Sequence, residues 1–233
     1  MRNTTTNFDD FAPDYRKIHT ENICKIGGTD SSYFGEYKVK IISANENNNK
    51  KVSILDLGCG DGMNAAFFSK YFRYMEYQGI DISKESINLA QNFKSRNICF
   101  STYDGKHIPF KSQTFDIIFL ACVLHHVPHI EHFNLLSECS RALKTGGHLY
   151  IFEHNPVNPV TRKLVNDCPF DKDAVLIKPK KLKNILLSLN YKRITTSYTI
   201  FLPRKEIFTN LLWIENHIKW LPLGGQYYIR CEK

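Results

Sequence analysis

The residues best suited to chemistry sit in a glycine-rich turn, ILDLGCGDG at residues 54–62. Gly58, Gly60 and Gly62 there let the backbone bend sharply and let a ligand lie close against it. Asp81 follows about twenty residues on, at the end of a second apolar run, where a carboxylate can take the two hydroxyls of a ribose. A glycine turn that opens a helix ordinarily suits a pyrophosphate, because its N–H groups are unpaired. Asp56 and Asp61 argue otherwise, since two carboxylates beside a pyrophosphate repel it. The third glycine also falls two residues after Gly60, outside the G-x-G-x-x-G register. The charge pattern therefore selects a cationic, phosphate-free ligand.

A second group of reactive residues is the histidine cluster His125, His126, His129 and His132, with Glu153-His154-Asn155-Pro156 further along. An imidazole titrating near neutrality can take a proton from a hydroxyl or amine. His126 is the first choice for such a base. His125 is expected to serve as an N-cap or packing residue or to touch a substrate, and His154 and Asn155 to contact it too. Histidines at i, i+3 and i+4 can share a cation. Pro128 breaks any helix through them, however, and no nearby carboxylate completes a ligand set, so no metal is expected.

These residues must be positioned by elements, and the elements alternate. Short apolar runs at 52–57, 77–82, 97–101, 115–123 and 148–152 read as strands, the fourth unbroken enough to be covered on both faces. Helices are expected at 63–74, at 84–93 behind an N-cap at Ser83, and at 131–143, the last stopped by Gly146 and Gly147. Alternation of this kind implies a parallel sheet clothed by helices on both sides, with ligands outside the carboxyl ends of its strands. Beyond 152 the chain is proline-rich to 179. A short helix follows from about 161 to 166, then a helix at 180–189, a strand at 191–201, an amphipathic helix at 206–219 and a last strand at 226–231. The segment from about 154 to 179 is too long for an idle turn and is expected to wall a substrate pocket.

The chain has 233 residues, of which 42% are hydrophobic and 23% charged, which excludes a largely disordered chain. The net charge of +8 is spread without an arginine-rich block and does not by itself demand an acidic partner. Seven cysteines, an odd number with no C-x-x-C pair, speak against a disulfide scaffold or a thiolate zinc site. The polar start and the lack of an apolar run near ~20 residues predict no signal peptide or membrane span. A reducing, cytoplasmic setting is the expectation, with the oligomeric state left open.

ILDLGCGDG followed by GIDIS resembles the class I S-adenosylmethionine-dependent methyltransferases. Asp104-Gly105 with Ile108-Pro109-Phe110, then Phe115-Asp116-Ile117-Ile118, resembles the stretch after the third strand of their small-molecule branch, and LKTGG at 143–147 resembles the turn before their fifth strand. The likeness covers roughly residues 52 to 153. It implies a Rossmann-like, seven-stranded, mostly parallel sheet of order 3-2-1-4-5-7-6, helices on both faces, and S-adenosylmethionine as cofactor. It also implies roles. Asp56, Gly58 and Gly60 would line the methionine end, with Cys59 and Asn64 beside them. Asp81 would bind the ribose, Ile82 would pack on the adenine, Asp104 with Gly105 would hold the adenine amine, and Ala121 would lie near the methionine moiety.

The start FDDFAPDY at residues 8–15 resembles the family's leader, which folds over the cofactor, so Tyr15 is a candidate lid residue. The chain then divides into a leader of residues 1–50 and a methyltransferase domain of 51–233. The expected reaction is methyl transfer by direct displacement to oxygen or nitrogen of a small-molecule or glycan-type acceptor. Nucleic acid is disfavoured, because no Asn-Pro-Pro-Tyr-like tetrad follows the fourth strand. An RNA or protein methyltransferase, or a non-catalytic S-adenosylmethionine-binding protein, is the alternative.

Overall fold

A computed structural model describes residues 7–24, 30–203 and 206–233 of the chain. Seven strands form one sheet: β1 (Val52–Leu57), β2 (Met75–Asp81), β3 (Ile98–Thr102), β4 (Phe115–Ala121), β5 (Leu143–His154), β6 (Lys192–Thr199) and β7 (Gln226–Glu232). Their order is β3-β2-β1-β4-β5-β7-β6, with β7 antiparallel to both neighbours and the β1–β5 pairs parallel. The expected topology is therefore the one found. Among the described residues seven α-helices accompany it: α1 (Tyr15–Cys24), α2 (Ser31–Asn45), α3 (Met63–Tyr71), α4 (Lys84–Ala90), α5 (His132–Ala142), α6 (Pro159–Asn166) and α7 (Pro179–Ser188). Among the described residues, no helix is long and apolar enough to cross a membrane.

β1 and β4 read as unbroken apolar runs because both of their faces are covered. Ile54, Ile117 and Phe119 pack with Phe68 and Ala65 of α3 on one side, while Leu55, Leu57, Ile118 and Leu120 pack with Leu135, Leu136 and Cys139 of α5 on the other. Ser83 caps α4 as expected, accepting a hydrogen bond from the Ser86 N–H. α2 belongs to this packing as well: Val39 and Ile42 are fully buried in the α3 cluster. Gly35 lets α2 come close to α3, since a Cβ there would stand 3.1 Å from the Asn64 side chain and from the Phe67 ring.

Two expected elements differ. α5 stops at Ala142, not at the glycine pair, because the chain passes straight into β5 and its pairing with β4 begins at Leu143. Gly147 is instead confined by the Asp116 carbonyl oxygen, 3.0 Å from where a Cβ would stand. The expected helix at 206–219 is a run of 3-10 turns, Glu206–Asn216. The Glu215 side chain accepts from the N–H groups of Phe201 and Leu202, which ties that run to the end of β6.

Candidate active site

The glycine turn leaves β1 at its carboxyl end. The N–H groups of Gly58 and Cys59 reach back to the Ile80 carbonyl at 2.8 and 3.1 Å. The Gly60 N–H donates to Asp81 Oδ2 at 2.8 Å, and Asp81 Oδ1 accepts from the Ser83 N–H at 2.9 Å. Asp81 thus clamps the turn to the end of β2. Burial raises its carboxyl above the usual carboxylate range, against the pull of those N–H groups. The three glycines all have positive φ, but they serve different ends. A Cβ on Gly58 would strike Val123 at 2.5 Å, and one on Gly62 would meet Ala90 and Phe100 at 2.8 and 2.9 Å. A Cβ on Gly60 would meet nothing within 4 Å, so this glycine opens onto empty space.

That space is a cavity of about 730 Å³ bounded by Gly58, Gly60, Asp81, Ile82, Gly105 and Ala121. Ile82 is 54% exposed although it is apolar, which suits a flat hydrophobic ligand face laid upon it. The open cradle at Gly60, the carboxylate of Asp81 and the bare Ile82 side chain together fit a nucleoside-bearing cofactor. Tyr15 of the leader lies over the same space.

Four residues do something other than expected. Asp56 is fully buried beneath the turn and lines neither cavity; it accepts from the Tyr77 hydroxyl at 2.6 Å and from Asn64 Nδ2 at 3.1 Å. Burial brings its carboxyl to about 7, opposed by those two hydrogen bonds. Asp61 is ion-paired to Arg16 of α1. Neither carboxylate is therefore the free negative charge that the sequence pattern suggested, and ligand choice at the turn owes more to shape than to repulsion. Asp104 lines the cavity, but its carboxylate caps its own loop: Oδ1 accepts from the N–H groups of Lys106 and His107, and Oδ2 lies 2.8 Å from His107 Nδ1. Asn155 is fully buried and holds the chain together: its Nδ2 donates to the carbonyls of Pro222 and Gly224, and its Oδ1 accepts from the Val157 N–H. That side chain is a clamp on the β7 approach and not an acceptor contact.

A second cavity, of about 350 Å³, adjoins the first through Gly58, Gly60, Ala121, His125 and His126. Cys59, Asn64 and His154 line it, as do Lys38, Asp171 and Gln226. The Cys59 thiol is pushed well up by burial and is inert as a nucleophile. His125 caps no helix. It lies inside a 3-10 turn, Leu124–His126, with Nδ1 2.6 Å from Glu153 Oε2 and Nε2 3.7 Å from Asp171 Oδ1. Glu153 also accepts from the Leu124 N–H at 2.8 Å. Burial works against charge on His125, yet Glu153 and Asp171 outweigh it and hold its pKa well above the ordinary imidazole value. His126 has Nε2 3.3 Å from the same Asp171 oxygen, and burial, with the charge on His125, lowers its pKa despite Asp171. His154 is lowered to about 4, chiefly by burial and then by His125. His132 is structural, its Nε2 lying 2.9 Å from the carbonyl oxygens of both Leu124 and Val127.

Asp171 answers the missing carboxylate of the histidine cluster. Its oxygen and the Nε2 atoms of His125 and His126 lie within 4.8 Å of one another, close enough in principle to hold a cation. With His125 charged between Glu153 and Asp171, its ring has no lone pair to offer a cation, and the group is held together as ion pairs. Cys122 is another residue that the sequence reading passed over. It lines both cavities with φ at 60°, a left-handed conformation costing a non-glycine residue about 1–2 kcal/mol.

Residues 55–151 match the family model described as a methyltransferase domain. The chain is 31% identical over 108 residues to a phthiotriol/phenolphthiotriol dimycocerosates methyltransferase of Mycobacterium leprae, covering 46% of this chain and 39% of that protein. It is 29% identical over 106 residues to a fatty-acid O-methyltransferase of Mycolicibacterium smegmatis, covering 44% and 37%. The chain thus spans well under half the length of these two relatives. Among solved structures, a Thermotoga maritima S-adenosylmethionine-dependent methyltransferase, described as a possible histamine N-methyltransferase, superposes with a TM-score of 0.70 at 16% identity, over 99% of this chain and 100% of that one. Residues 55–151 thus carry a methyltransferase domain, on a fold shared with S-adenosylmethionine-dependent methyltransferases.

Proposed function

We propose that the protein transfers the methyl group of S-adenosylmethionine to an oxygen or nitrogen of a small-molecule acceptor held in the 350 Å³ cavity. The observation that carries this reading is the junction of the two cavities. The glycine turn and Ala121 border both, and the acceptor side of that border holds His126 and Asp171. When bound, the cofactor supplies an activated methyl group on a cationic sulfur. Gly58, Gly60, Asp81 and Ile82 would hold it, and Tyr15 with Phe8 would exclude water from above. The chain's main task is then to align the acceptor and keep the site dry. His126 is the proton acceptor, and Asp171 orients its ring. A lowered pKa leaves its imidazole neutral, and so able to take a proton, throughout the physiological range.

The cavity wall favours an apolar acceptor over a glycan: Phe34, Phe67, Leu164, Val165, Phe201 and Leu202 all contribute to it. The lipid acceptors named for the mycobacterial relatives fit the same chemistry. The test is incubation of the protein with methyl-labelled donor and fractionated cell extract. Label should enter an organic-soluble small-molecule fraction, equally with and without a chelator. Label confined to RNA or protein, or no transfer despite donor binding, would overturn the reading.

A further inference from the structure

α2 carries a buried stripe of Phe34, Lys38, Val39 and Ile42, and a lysine stands where helical spacing would place an apolar residue. Lys38 is only 7% exposed. It lines the acceptor cavity, and among the described residues it has no ion-pair or hydrogen-bond partner. The charges around it are already engaged. Arg16 is paired with Asp61, Glu153 holds His125, and the Asp171 carboxylate lies between His125 and His126. An ammonium that reaches the wall of a largely enclosed, partly apolar cavity with no direct partner points to an anionic ligand that completes it.

We infer that Lys38 is the recognition site for an anionic group, a carboxylate or a phosphate, on an otherwise apolar acceptor. The inference rests on the methyl-transfer reading for the word acceptor, and on the geometry of the cavity for the anion. The neighbourhood fixes which end of the acceptor is meant. Lys38, His19 and His154 line the acceptor cavity alone, whereas His126 stands at its border with the donor cavity. The anion therefore sits toward His19 and His154, and the hydroxyl or amine to be methylated faces His126. The apolar wall accommodates the body of the molecule between them. Arg162, the exposed arginine of α6, does not line the cavity and has no part in this recognition.

The experiment is calorimetric titration of the enzyme, loaded with S-adenosylhomocysteine, with decanoate, decyl phosphate and decanol. At least one anion should bind ten-fold or more tightly than decanol, and the better of the two identifies the group. Lys38→Met should abolish that preference, Lys38→Arg should keep most of it, and the melting temperature of Lys38→Met should equal or exceed that of the unaltered protein. Equal affinity for the alcohol and both anions, no binding of either anion, or a preference that survives in Lys38→Met would each overturn the proposal. Binding of S-adenosylhomocysteine is measured separately in all three proteins. Its absence from the unaltered protein would defeat the methyl-transfer reading, whereas its presence without an anion preference defeats only this one.

Discussion

Around the glycine turn, the groups that would hold the donor come from the ends of β1 and β2 and the few residues that follow them. Gly60 and Asp81 are tied by a 2.8 Å hydrogen bond, and Ile82 stands next to that carboxylate in the chain. Around the acceptor cavity, the groups come from everywhere: Tyr15 and Lys38 from the first two helices, His126 from the turn after β4, Asp171 from a 3-10 turn after α6, and Gln226 from the start of β7. The donor half is centred on one local motif on two neighbouring strands, with Gly105, Ala121 and Tyr15 completing its wall. The acceptor half exists only once five separate segments have packed. A donor common to a whole family can be held by a short motif, while an acceptor site assembled from loops can vary without disturbing the sheet.

The sharpest way to break this contrast is Asp81→Ala. It removes the carboxylate that would take the ribose and also unclamps the turn. Charge-assisted hydrogen bonds are worth about 1.5–3 kcal/mol each, so losing two should weaken S-adenosylhomocysteine binding by about a hundredfold or more. Calorimetry checks it, and an affinity within a factor of two of the original would remove Asp81 from the donor half.

On the acceptor side, His126→Ala should lower turnover by about a hundredfold while donor affinity stays the same, the mark of a lost proton acceptor. The pH dependence has a definite sign. The neutral ring is the active form and its pKa is depressed, so the rate should be flat at neutral and alkaline pH and fall only below the ordinary imidazole value. Asp171 raises that pKa, so Asp171→Asn should shift the acid limb to still lower pH. A rate profile that is the same in His126→Ala would show that proton transfer lies elsewhere.

The smallest effects separate the glycines of the turn. Gly60→Ala and Gly62→Ala both force alanine into positive φ, at about 1–2 kcal/mol. Only Gly62→Ala also presses a methyl into Ala90 and Phe100, adding about 1–3 kcal/mol of overpacking. Denaturant unfolding should therefore find Gly62→Ala the less stable, and Gly60→Ala should lose donor affinity with a milder loss of stability. Equal loss of stability in the two would mean that Gly60 does not face open space.

The strands were legible because parallel strands covered on both faces must be apolar at nearly every position, as in FDIIFLA at 115–121. Elements at the rim were less so. The end of α5 was placed within one residue, but its cause and the start of β5 were not: Gly146 and Gly147 look like a helix stop, whereas sheet pairing takes over at Leu143, before the glycines are reached. Cavity residues close in sequence to the turn were found. Asp171 was missed because nothing in its sequence neighbourhood, CPFDKD, marks a carboxylate that will meet two histidines more than forty positions earlier. Lys38 carried a faint signal, a lysine in the apolar stripe of α2, which acquires meaning only when that face is seen to border a cavity.

Hydrophobic run length and strand–helix alternation are local properties of the chain, and from them a parallel sheet covered on both faces could be written down; the glycine turn and the resemblance it carries implied the sheet order and the cofactor class. Whether a given polar side chain faces a ligand, a neighbour or its own backbone depends on long-range packing. Packing turned Asp56 and Asp61 inward to partners, folded Asp104 onto its loop, made Asn155 a clamp, and left Lys38 without a counter-charge. The reason is physical: backbone geometry is set within a few residues, whereas the balance of burial and charge at a side chain is set by whatever the rest of the fold brings beside it.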